Sequence, residues 1–415
     1  MLQLQTVSNH CDDTLTLSCT EDACHESYTV LSEFMEVDEE VIAFFAKHDE
    51  EFYPSISSRS SVVEYIRSIF GTAGRLIVCH IHGKIVGIIG IGLNHPAWKY
   101  YYQYISVDAQ YRRRGIAGKL LELALQIFKE HGATRIVVRT WSSNKASRGN
   151  FHKHGFIHFD TLANDRGAGV HSCFYTKVLS PLQLEKPLSF LGLIGGMGTF
   201  ATGNFVKTLS CIPRSTPKEQ SLMPFLVIND PTIPDRTEAI YQNTVAEVVS
   251  KVEKSINRAD QRQLSHLAIL CFTFHPFIPL LRLRRGIEVI NLIDLCSRLL
   301  GQPGRRWLLV ATLGTYKTNP FCSLPVLTPA DPQKERIHQI ILEIKSGACP
   351  SCYRDELIAV AKNNDCNALV LGCTDLHGMF GFYQQYQGVT VLDPLLELAL
   401  HLETVRVNTK TNQSV

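Results

Sequence analysis

Ala368-Leu369-Val370-Leu371-Gly372-Cys373-Thr374 is a continuous apolar run that ends in a glycine, a cysteine and a threonine. Four earlier runs share its apolar character and are separated by segments long enough for helices: residues 190–194, 225–228, 267–270 and 307–311. A strand that is apolar on both faces is typical of a parallel sheet covered by helices. This part of the chain therefore predicts a parallel α/β fold.

The same region contains a faint internal repeat. One half holds Leu193-Ile194-Gly195-Gly196-Met197-Gly198-Thr199 and later Cys271-Phe272-Thr273-Phe274-His275. The other half holds Val310-Ala311-Thr312-Leu313-Gly314-Thr315 and later Cys373-Thr374-Asp375-Leu376-His377. Each half places a glycine-containing turn after one strand and a Cys-x-x-x-His after another, which predicts two similar, pseudo-symmetric lobes that face each other.

Cys271 and Cys373 each close an apolar strand and open a turn into a helix. Ligands of open parallel sheets bind beyond such carboxyl ends, and a helix N-terminus lowers the pKa of a thiol, so we expect both thiols to be reactive. Two thiols on opposite sides of a substrate suit inversion of a stereocentre, with one removing a proton and the other delivering one. Most of the thirteen cysteines are instead expected to be inert core residues, and the lone Cys-x-x-Cys at 349–352 is a weak signal for zinc or redox chemistry.

Six ordered blocks, residues 193–202, 229–237, 271–275, 311–315, 344–347 and 371–375, resemble the aspartate/glutamate racemase family, the cofactor-independent two-cysteine racemases. The resemblance spans about residues 188–402 and implies Cys271 and Cys373 as the paired acid and base. It also implies a substrate pocket lined by Met197, Thr202, Asn229, Thr273 and Thr374, with Arg236 and Lys345 holding carboxylates. Neither pyridoxal phosphate nor a metal is expected.

Two positions depart from the family pattern. Phe272 stands where the family usually has an asparagine between the cysteine and the threonine, and Asp375 stands where it usually has a glutamate. Phe272 removes an amide from beside the thiol, so the identity of the amino acid stays open.

The first half of the chain has a different pattern. Strands are predicted at residues 76–82, 85–93, 102–107 and 134–140, the first two joined by Gly83-Lys84, and an amphipathic helix at 118–131. This order predicts a mixed-sheet α+β domain. The first 30 residues carry only weak strand signals.

Arg112-Arg113-Arg114-Gly115-Ile116-Ala117-Gly118 lies between the third of these strands and the helix. Small residues at a helix N-terminus let backbone N–H groups approach a pyrophosphate. A solvated basic loop or a nucleic-acid-binding patch could have a similar sequence. With residues 143–144 and 150–156, the run resembles the GNAT family of acyl-CoA-dependent N-acetyltransferases over about residues 33–178.

The GNAT resemblance implies acetyl-CoA as the cofactor. Its pyrophosphate would be held by Arg112, Arg113, Arg114, Gly115, Ala117 and Gly118, and its pantetheine arm would run beside Ile105 and Val107. Phe151 stands where many members have a tyrosine that protonates the departing thiolate, so the general acid stays unassigned. His152 and His154 are read as surface residues.

Length and composition set the remaining expectations. The 415 residues fit two domains, predicted at 30–179 and 188–405 on either side of a proline-containing linker. The net charge of +2 argues against nucleic acid as the main partner. No signal sequence or long apolar span is evident and the cysteine count is odd, so a cytoplasmic protein without membrane association is expected. A homodimer is left open.

The sequence thus predicts an N-acetyltransferase fused to an amino-acid racemase of the aspartate/glutamate type, with an amino acid and an acyl-CoA as small-molecule partners. Two alternatives remain. The chain could be a regulatory protein that senses an amino acid and CoA and has lost catalysis, with Phe151 and Phe272 marking the loss. The second fold could also isomerise a small diacid.

Overall fold

A computed structural model of the chain describes residues 17–18, 26–95, 98–211, 223–258, 263–300, 304–381 and 385–411. The chain divides into two compact units, the first ending at Ser180 and the second beginning at Pro181. Of the first 30 residues, 1–16 and 19–25 lie outside the described residues, so the weak strand signals there are mostly not described. Among the described residues, no helix combines the length and the apolar character needed to cross a membrane.

The first unit is built on one mixed sheet. Its strands are β1 (Leu17–Ser18), β2 (Glu26–Leu31), β3 (Arg75–Ile81), β4 (Lys84–His95), β5 (Lys99–Val107), β6 (Arg135–Trp141), β7 (Ile157–Leu162) and β8 (Ser172–Val178). Its helices are α1 (Glu39–Lys47), α2 (Val62–Phe70), α3 (Ile116–Glu130) and α4 (Lys145–Lys153). The strand order is β1-β2-β3-β4-β5-β6-β8-β7, antiparallel throughout except between β5 and β6. The predicted mixed-sheet α+β domain is confirmed, and α3 begins two residues earlier than expected.

Two irregularities of β5 open this sheet. The register between β4 and β5 passes from Gly90 opposite Tyr104 to Ile91 opposite Tyr102, which leaves Gln103 as an extra residue in a β-bulge. As a result Tyr102 packs in the core that contains α3, whereas Tyr104 packs in the core that contains α1 and α2. Parallel pairing with β6 covers only Tyr101 and Tyr102, so the two strands separate beyond that point.

The second unit contains two sheets. Its strands are β9 (Leu191–Gly195), β10 (Phe225–Asn229), β11 (His266–Ile269), β12 (Glu288–Ile290), β13 (Trp307–Val310), β14 (Val326–Leu327), β15 (Ala368–Leu371), β16 (Gln385–Tyr386) and β17 (Val389–Leu392). Its helices are α5 (Thr199–Cys211), α6 (Arg236–Gln242), α7 (Val245–Asn257), α8 (Leu292–Leu300), α9 (Leu313–Thr318), α10 (Asp331–Lys345), α11 (Arg354–Asn363) and α12 (Pro394–Thr411).

The two sheets have equivalent topology. The order is β10-β9-β11-β12 in one lobe and β14-β13-β15-β17-β16 in the other, and every pair is parallel except β16 with β17. Strand β9 therefore corresponds to β13, and β11 corresponds to β15. Each central strand is buried along its whole length, which explains its unbroken apolar sequence. The predicted two-lobed, pseudo-symmetric parallel α/β fold is confirmed.

Candidate functional sites

Cys271 and Cys373 occupy equivalent positions in the two lobes. Cys271 follows β11 and precedes a 3₁₀ segment at Phe272–Leu280, and Cys373 follows β15 and precedes a 3₁₀ segment at Thr374–Leu376. The two thiols are 6% and 7% exposed, and the charge of Cys271 contributes to raising the pKa of Cys373. The residue after Cys373, Thr374, also donates a hydrogen bond to the carbonyl of Leu270, which precedes Cys271, so the two predicted catalytic residues lie near each other where the lobes meet.

Asp375 connects Cys373 to the charged groups of the site. Its Oδ2 accepts a hydrogen bond from the Cys373 thiol at 3.7 Å and lies 3.8 Å from Lys345 Nζ. The carboxyl is 2% exposed, and burial raises its pKa although Lys345 and Arg236 oppose that rise. Its Oδ1 is buried without a hydrogen-bond partner among the described residues. It is in tight contact with Gly198, where an added Cβ would lie 2.5 Å from Oδ1.

The thiol of Cys373 is held in its protonated form. Burial is the largest cause that raises its pKa, the negative charge of Asp375 raises it further, and Lys345 only partly offsets both. The expectation that a helix N-terminus would lower this pKa is therefore wrong for Cys373. The following 3₁₀ segment is only three residues long, too short to outweigh burial beside a carboxylate.

Arg236 is placed by its helix cap. Asp235 accepts a hydrogen bond from the Glu238 amide at 3.0 Å, so α6 begins at Arg236. The guanidinium is 7% exposed and donates to the carbonyls of Met197 and Pro234, while its Nε has no partner among the described residues. Its positive charge acts on Asp375, where it opposes the rise in the pKa of the carboxyl. Arg236 and Lys345 thus bring two positive charges to the same carboxylate beside Cys373.

Hydroxyl groups join the lobes directly beside each cysteine. Thr273 Oγ1 lies 3.0 Å from Thr312 Oγ1 and 2.8 Å from Thr315 Oγ1 in the other lobe. From the second lobe to the first, Thr374 Oγ1 donates to the Leu270 carbonyl at 3.1 Å. Both lobes are therefore fixed to each other at the residues that position the thiols.

The remaining predicted pocket residues lie after β9, at the start of α5 and at the end of β10. Met197 is buried, and Thr202 is buried with its hydroxyl donating to the Gly198 carbonyl at 3.0 Å. Asn229 is the last residue of β10 and is exposed. Met197 thus lies between β9 and α5, next to the glycine that contacts Asp375, and Thr202 lies in the first turn of α5.

The two histidines of the Cys-x-x-x-His repeat are both engaged in hydrogen bonds within the protein. Nε2 of His275 accepts from the Leu292 amide at 3.1 Å, so Nδ1 carries the proton and donates to the Cys271 carbonyl at 2.8 Å. Burial lowers the pKa of His275 to about 4. His377 instead contacts Asp393 at 2.9 Å and Thr208 at 2.9 Å. Among the described residues, no group of three or more His, Cys, Asp or Glu side chains could hold a metal.

Phe272 faces the protein interior. It is 1% exposed and packs on His275 and on Phe321, with ring centroids 5.5 and 5.6 Å apart respectively. The residue that departs from the family pattern thus fills an apolar contact between the lobes next to Cys271.

The charges around Cys373 predict the direction in which two substitutions shift the pKa of its thiol. Asp375→Asn removes a negative charge that raises the pKa of Cys373, so the midpoint of Cys373 alkylation against pH should move to lower pH. Lys345→Met removes a positive charge and should move it to higher pH. Mass spectrometry of iodoacetamide-treated protein measures both, with Asp331→Asn at the exposed start of α10 as control. Midpoints that coincide for all three variants would refute the arrangement.

The first unit contains a cleft of about 1240 Å³ where β5 and β6 separate. Seven of the eight residues predicted to bind the coenzyme line it: Ile105, Val107, Arg112, Arg113, Gly115, Ala117 and Gly118. Arg114 is the exception, and its guanidinium lies over the ring of Tyr111 at 5.1 Å. The predicted pyrophosphate-binding turn therefore borders this cleft.

The start of α3 is shaped for an anion. Arg113 and Gly115 have positive φ angles of 65° and 86°, and Gly115 is the N-cap of this fifteen-residue helix. No acidic residue lies in the first turn, and nothing lies within 4 Å of a Cβ added at Gly115. Arg112 is already engaged, since it donates to the Val107 carbonyl at 2.8 Å and to Glu51 at 2.5 Å. An anion at this place would thus be held by backbone amides, with Arg113 beside them.

Phe151 supplies no phenol to this cleft, whereas many GNAT family members have a tyrosine at this position. It is 2% exposed and packs against Phe156 and Tyr175, although it still lines the cleft. His154 Nδ1 donates to the Asn150 carbonyl at 2.8 Å, and its Nε2 lies 3.2 Å from the position of a Cβ on Gly118. His154 is thus closer to the start of α3 than its reading as a surface residue suggested.

Sequence reasoning missed the residues at the other end of the cleft. Arg59, Arg139 and Arg166 line it together with Tyr65 and Tyr101. They come from a loop, a strand and a hairpin connection, with no common spacing that a motif search could find.

The comparisons with known proteins agree with both folds. The model of the Asp/Glu/hydantoin racemase family matches residues 194–402, and that of the acetyltransferase (GNAT) family matches residues 19–156. No curated protein matches. Among solved structures, an aspartate racemase of Picrophilus torridus is 23% identical over 52% of this chain and 94% of its own, with a TM-score of 0.44.

Two acetyltransferase structures resemble the first unit. An N-acetyltransferase from Staphylococcus aureus Mu50 is 21% identical over 37% of this chain and 98% of its own, with a TM-score of 0.31. The ribosomal-protein-S18-alanine N-acetyltransferase of Escherichia coli is 16% identical over 38% of this chain and 98% of its own, with a TM-score of 0.30. Because its family model matches half of the residues, the chain belongs to the Asp/Glu/hydantoin racemase family, with a GNAT acetyltransferase domain preceding the racemase domain.

Proposed function

We propose that the chain is a bifunctional enzyme. Its second domain, at 188–405, interconverts the enantiomers of an acidic amino acid by proton transfer between two thiols, without pyridoxal phosphate or a metal. Its first domain, at 30–179, transfers an acetyl group from acetyl-CoA to an amine. The reactants are small cytoplasmic metabolites.

The observation that carries the racemase proposal is the pairing of Cys271 and Cys373 at equivalent strand ends of two facing lobes. In one direction Cys271, as the thiolate, takes the α-proton from one face. The Cys373 thiol, kept protonated by burial and Asp375, then delivers its proton to the opposite face. The C–H bond breaks at one face and a new one forms at the other, so the reverse turnover begins with the thiol and the thiolate exchanged.

The rest of the site supports this proton transfer. Arg236 and Lys345 supply positive charge for the substrate carboxylates and for the negative charge that grows at the α-carbon. Met197, Thr202, Asn229, Thr273 and Thr374 would complete the pocket. The unpartnered Nε of Arg236 and Oδ1 of Asp375 are buried polar atoms that a bound amino acid could satisfy.

The racemase proposal is tested by deuterium incorporation. The protein is incubated with each proteinogenic amino acid in deuterium oxide, and α-deuterium and enantiomeric composition are followed by mass spectrometry and chiral chromatography. Aspartate or glutamate should acquire α-deuterium and racemise, whereas alanine should do neither. Absence of exchange in every amino acid would favour a sensing protein, and exchange confined to non-amino diacids would favour the isomerase alternative.

The acetyltransferase proposal depends on the cleft in the first domain. When bound, acetyl-CoA supplies a thioester whose acetyl carbon is open to attack by an amine. The backbone amides at the start of α3 would hold the pyrophosphate, and the unpaired edge of β5 at Ile105 and Val107 would hold the arm. In the transfer a C–N bond forms, the C–S bond breaks, the amine loses a proton and the thiolate gains one.

Fusion of the two domains predicts coupled chemistry. Acetylating one enantiomer withdraws it from a racemisation equilibrium that is otherwise near unity, so each domain increases the yield of the other. We expect enantioselective acetylation of an amino acid that the second domain racemises. With acetyl-CoA in excess, chiral chromatography should show complete conversion of a racemic mixture into one N-acetyl enantiomer. Conversion that stops at half of the mixture while racemisation is active would contradict the coupling.

A further inference from the structure

Three arginines meet at the end of the cleft away from the start of α3. Arg59 precedes α2, Arg139 lies in β6, and Arg166 lies between β7 and β8. Burial raises the pKa of Tyr65 and of Tyr101, and the charges of all three arginines act against that rise at both phenols. The three arginines therefore act on the same pair of tyrosines, and all five side chains line one cleft.

The positive charge at this end is only partly compensated. Arg139 Nη1 lies 3.9 Å from Asp165, and its buried Nε has no hydrogen-bond partner among the described residues. Asp49, which also interacts with Arg59, is committed to Ser57 through its amide and hydroxyl. Neither Asp49 nor Asp165 lines the cleft.

The other acidic groups of the cleft do not neutralise the arginines. Glu51 and Glu122 are the acidic side chains among the described lining residues. Glu51 is bound to Arg112 at 2.5 Å, and Glu122 lies in α3. Three guanidinium groups thus line the cleft with no acidic lining residue as a dedicated partner, which leaves them available to a negatively charged ligand.

Arg139 lies at the place where β5 and β6 separate. Arg139 directly follows Val138, the last residue of β6 that pairs with β5. On β5 the bulged residue Gln103 follows the last paired residue, Tyr102. The Gln103 carbonyl accepts from the Tyr65 hydroxyl at 2.8 Å, and its side chain donates to Thr72. The strands therefore begin to separate beside Arg139, between the start of α3 and the aromatic end of the cleft.

We infer that this end of the cleft is an acceptor site for a small dicarboxylic amino acid, whose two carboxylates are held by Arg59, Arg139 and Arg166 while its α-amine receives the acetyl group. The inference rests on the proposed acetyltransferase activity and names its substrate class. Planar guanidinium groups match carboxylates in bidentate pairs, and more than one such group suits a ligand with more than one carboxylate. Membership of the chain in the Asp/Glu/hydantoin racemase family supplies a second reason for an acidic amino acid.

Arg139→Gln is the most informative variant, because Arg166 also anchors its loop through Ser172 at 2.9 Å and the Tyr53 carbonyl. Release of the CoA thiol is measured with aspartate and glutamate and with their neutral isosteres asparagine and glutamine. The KM for the acidic acceptors should rise about tenfold or more in Arg139→Gln, as for loss of a charge-assisted hydrogen bond. The KM for acetyl-CoA should change less than about twofold, since its proposed site is at α3.

The matched control is Arg67→Gln. Arg67 belongs to α2, lies over the ring of Phe34 at 4.7 Å and does not line the cleft, so its variant should behave as the unmutated protein. A second readout is independent of turnover: calorimetry of N-acetylaspartate binding to the CoA-saturated protein. Binding should be present in the unmutated protein and in Arg67→Gln and weakened in Arg139→Gln.

The outcomes separate the two proposals. If no amine is acetylated, the acetyltransferase proposal fails, and calorimetry alone decides whether the arginines bind a dicarboxylate. If neutral amino acids or peptide N-termini are acetylated in preference to aspartate and glutamate, with KM unchanged in Arg139→Gln, the acceptor site is refuted and the acetyltransferase stands. N-acetylaspartate binding that is equal in Arg139→Gln and Arg67→Gln would also overturn the inference.

Discussion

Replacing either Cys271 or Cys373 with alanine should lower the rate of racemisation by about 10³-fold or more, since each thiol would supply one of two essential proton transfers. The two residues follow equivalent strands, β11 and β15, of facing lobes. A proton removed at one face of the α-carbon cannot be replaced at the other when the second thiol is absent. Chiral chromatography of the product measures the loss directly.

The half-reactions should be lost unequally. A variant that keeps one thiol can still exchange the α-hydrogen of a single enantiomer with solvent, and the other variant should favour the opposite enantiomer. Cys271→Ala and Cys373→Ala in deuterium oxide should therefore show complementary patterns of α-deuterium. Serine at either position should restore little activity, because a hydroxyl is a far weaker acid than a thiol.

Cys366→Ala provides the control for this experiment. Cys366 is buried in the core of the same lobe as Cys373, so its replacement tests the effect of losing a buried sulfur without removing a thiol from the site. It should leave racemisation within about twofold, apart from a small loss of stability. If Cys271→Ala and Cys373→Ala also racemised at that level, the two cysteines would be packing residues and the two-thiol mechanism would be refuted.

The sequence predicts the second domain well because its chemistry follows its topology. Strands buried on both faces have unbroken apolar sequences, and the residues after them lie at one edge of the sheet, so the placement of Cys271 and Cys373 at equivalent strand ends was predictable. Local sequence could not show that burial and Asp375 raise the pKa of Cys373. That effect depends on the desolvation of a folded site, which no spacing encodes.

The first domain was less accessible to sequence analysis. The turn at Gly115 is formed by residues that are adjacent in sequence, and its position between a strand and a helix was predictable. The proposed acceptor end of the cleft is not local, because Arg59, Arg139 and Arg166 are separated by up to 107 residues. They line one cleft, where the sheet is opened by the bulge in β5 and by the separation of β5 from β6. Neither irregularity has a sequence signature that the alternation of apolar residues reveals.

Gly115→Glu should weaken acetyl-CoA binding by at least about a hundredfold, which corresponds to about 2.7 kcal/mol. Gly115 is the N-cap of α3, and its backbone amide belongs to the group proposed to hold the pyrophosphate. Glutamate adds bulk and negative charge at the point where the phosphates would approach, and like charges repel strongly away from bulk water. Calorimetric titration with acetyl-CoA measures the loss, and no affinity in the unmutated protein would remove the acetyltransferase proposal.

The backbone strain of this substitution must be separated from its effect on the ligand. Gly115 has a φ of 86°, in the left-handed region where a side chain costs about 1 kcal/mol. Gly132, at the other end of α3, has a φ of 73°, and like Gly115 it has nothing within 4 Å of an added Cβ. Gly132→Glu therefore imposes the same strain and charge without approaching the cleft, and it should bind acetyl-CoA as the unmutated protein does. Gly115→Ala adds the strain alone and should bind with intermediate affinity. Equal affinity in Gly115→Glu and Gly132→Glu would place the coenzyme away from the start of α3, whereas selective loss in Gly115→Glu, with racemisation by the second domain intact, would assign the pyrophosphate to that helix.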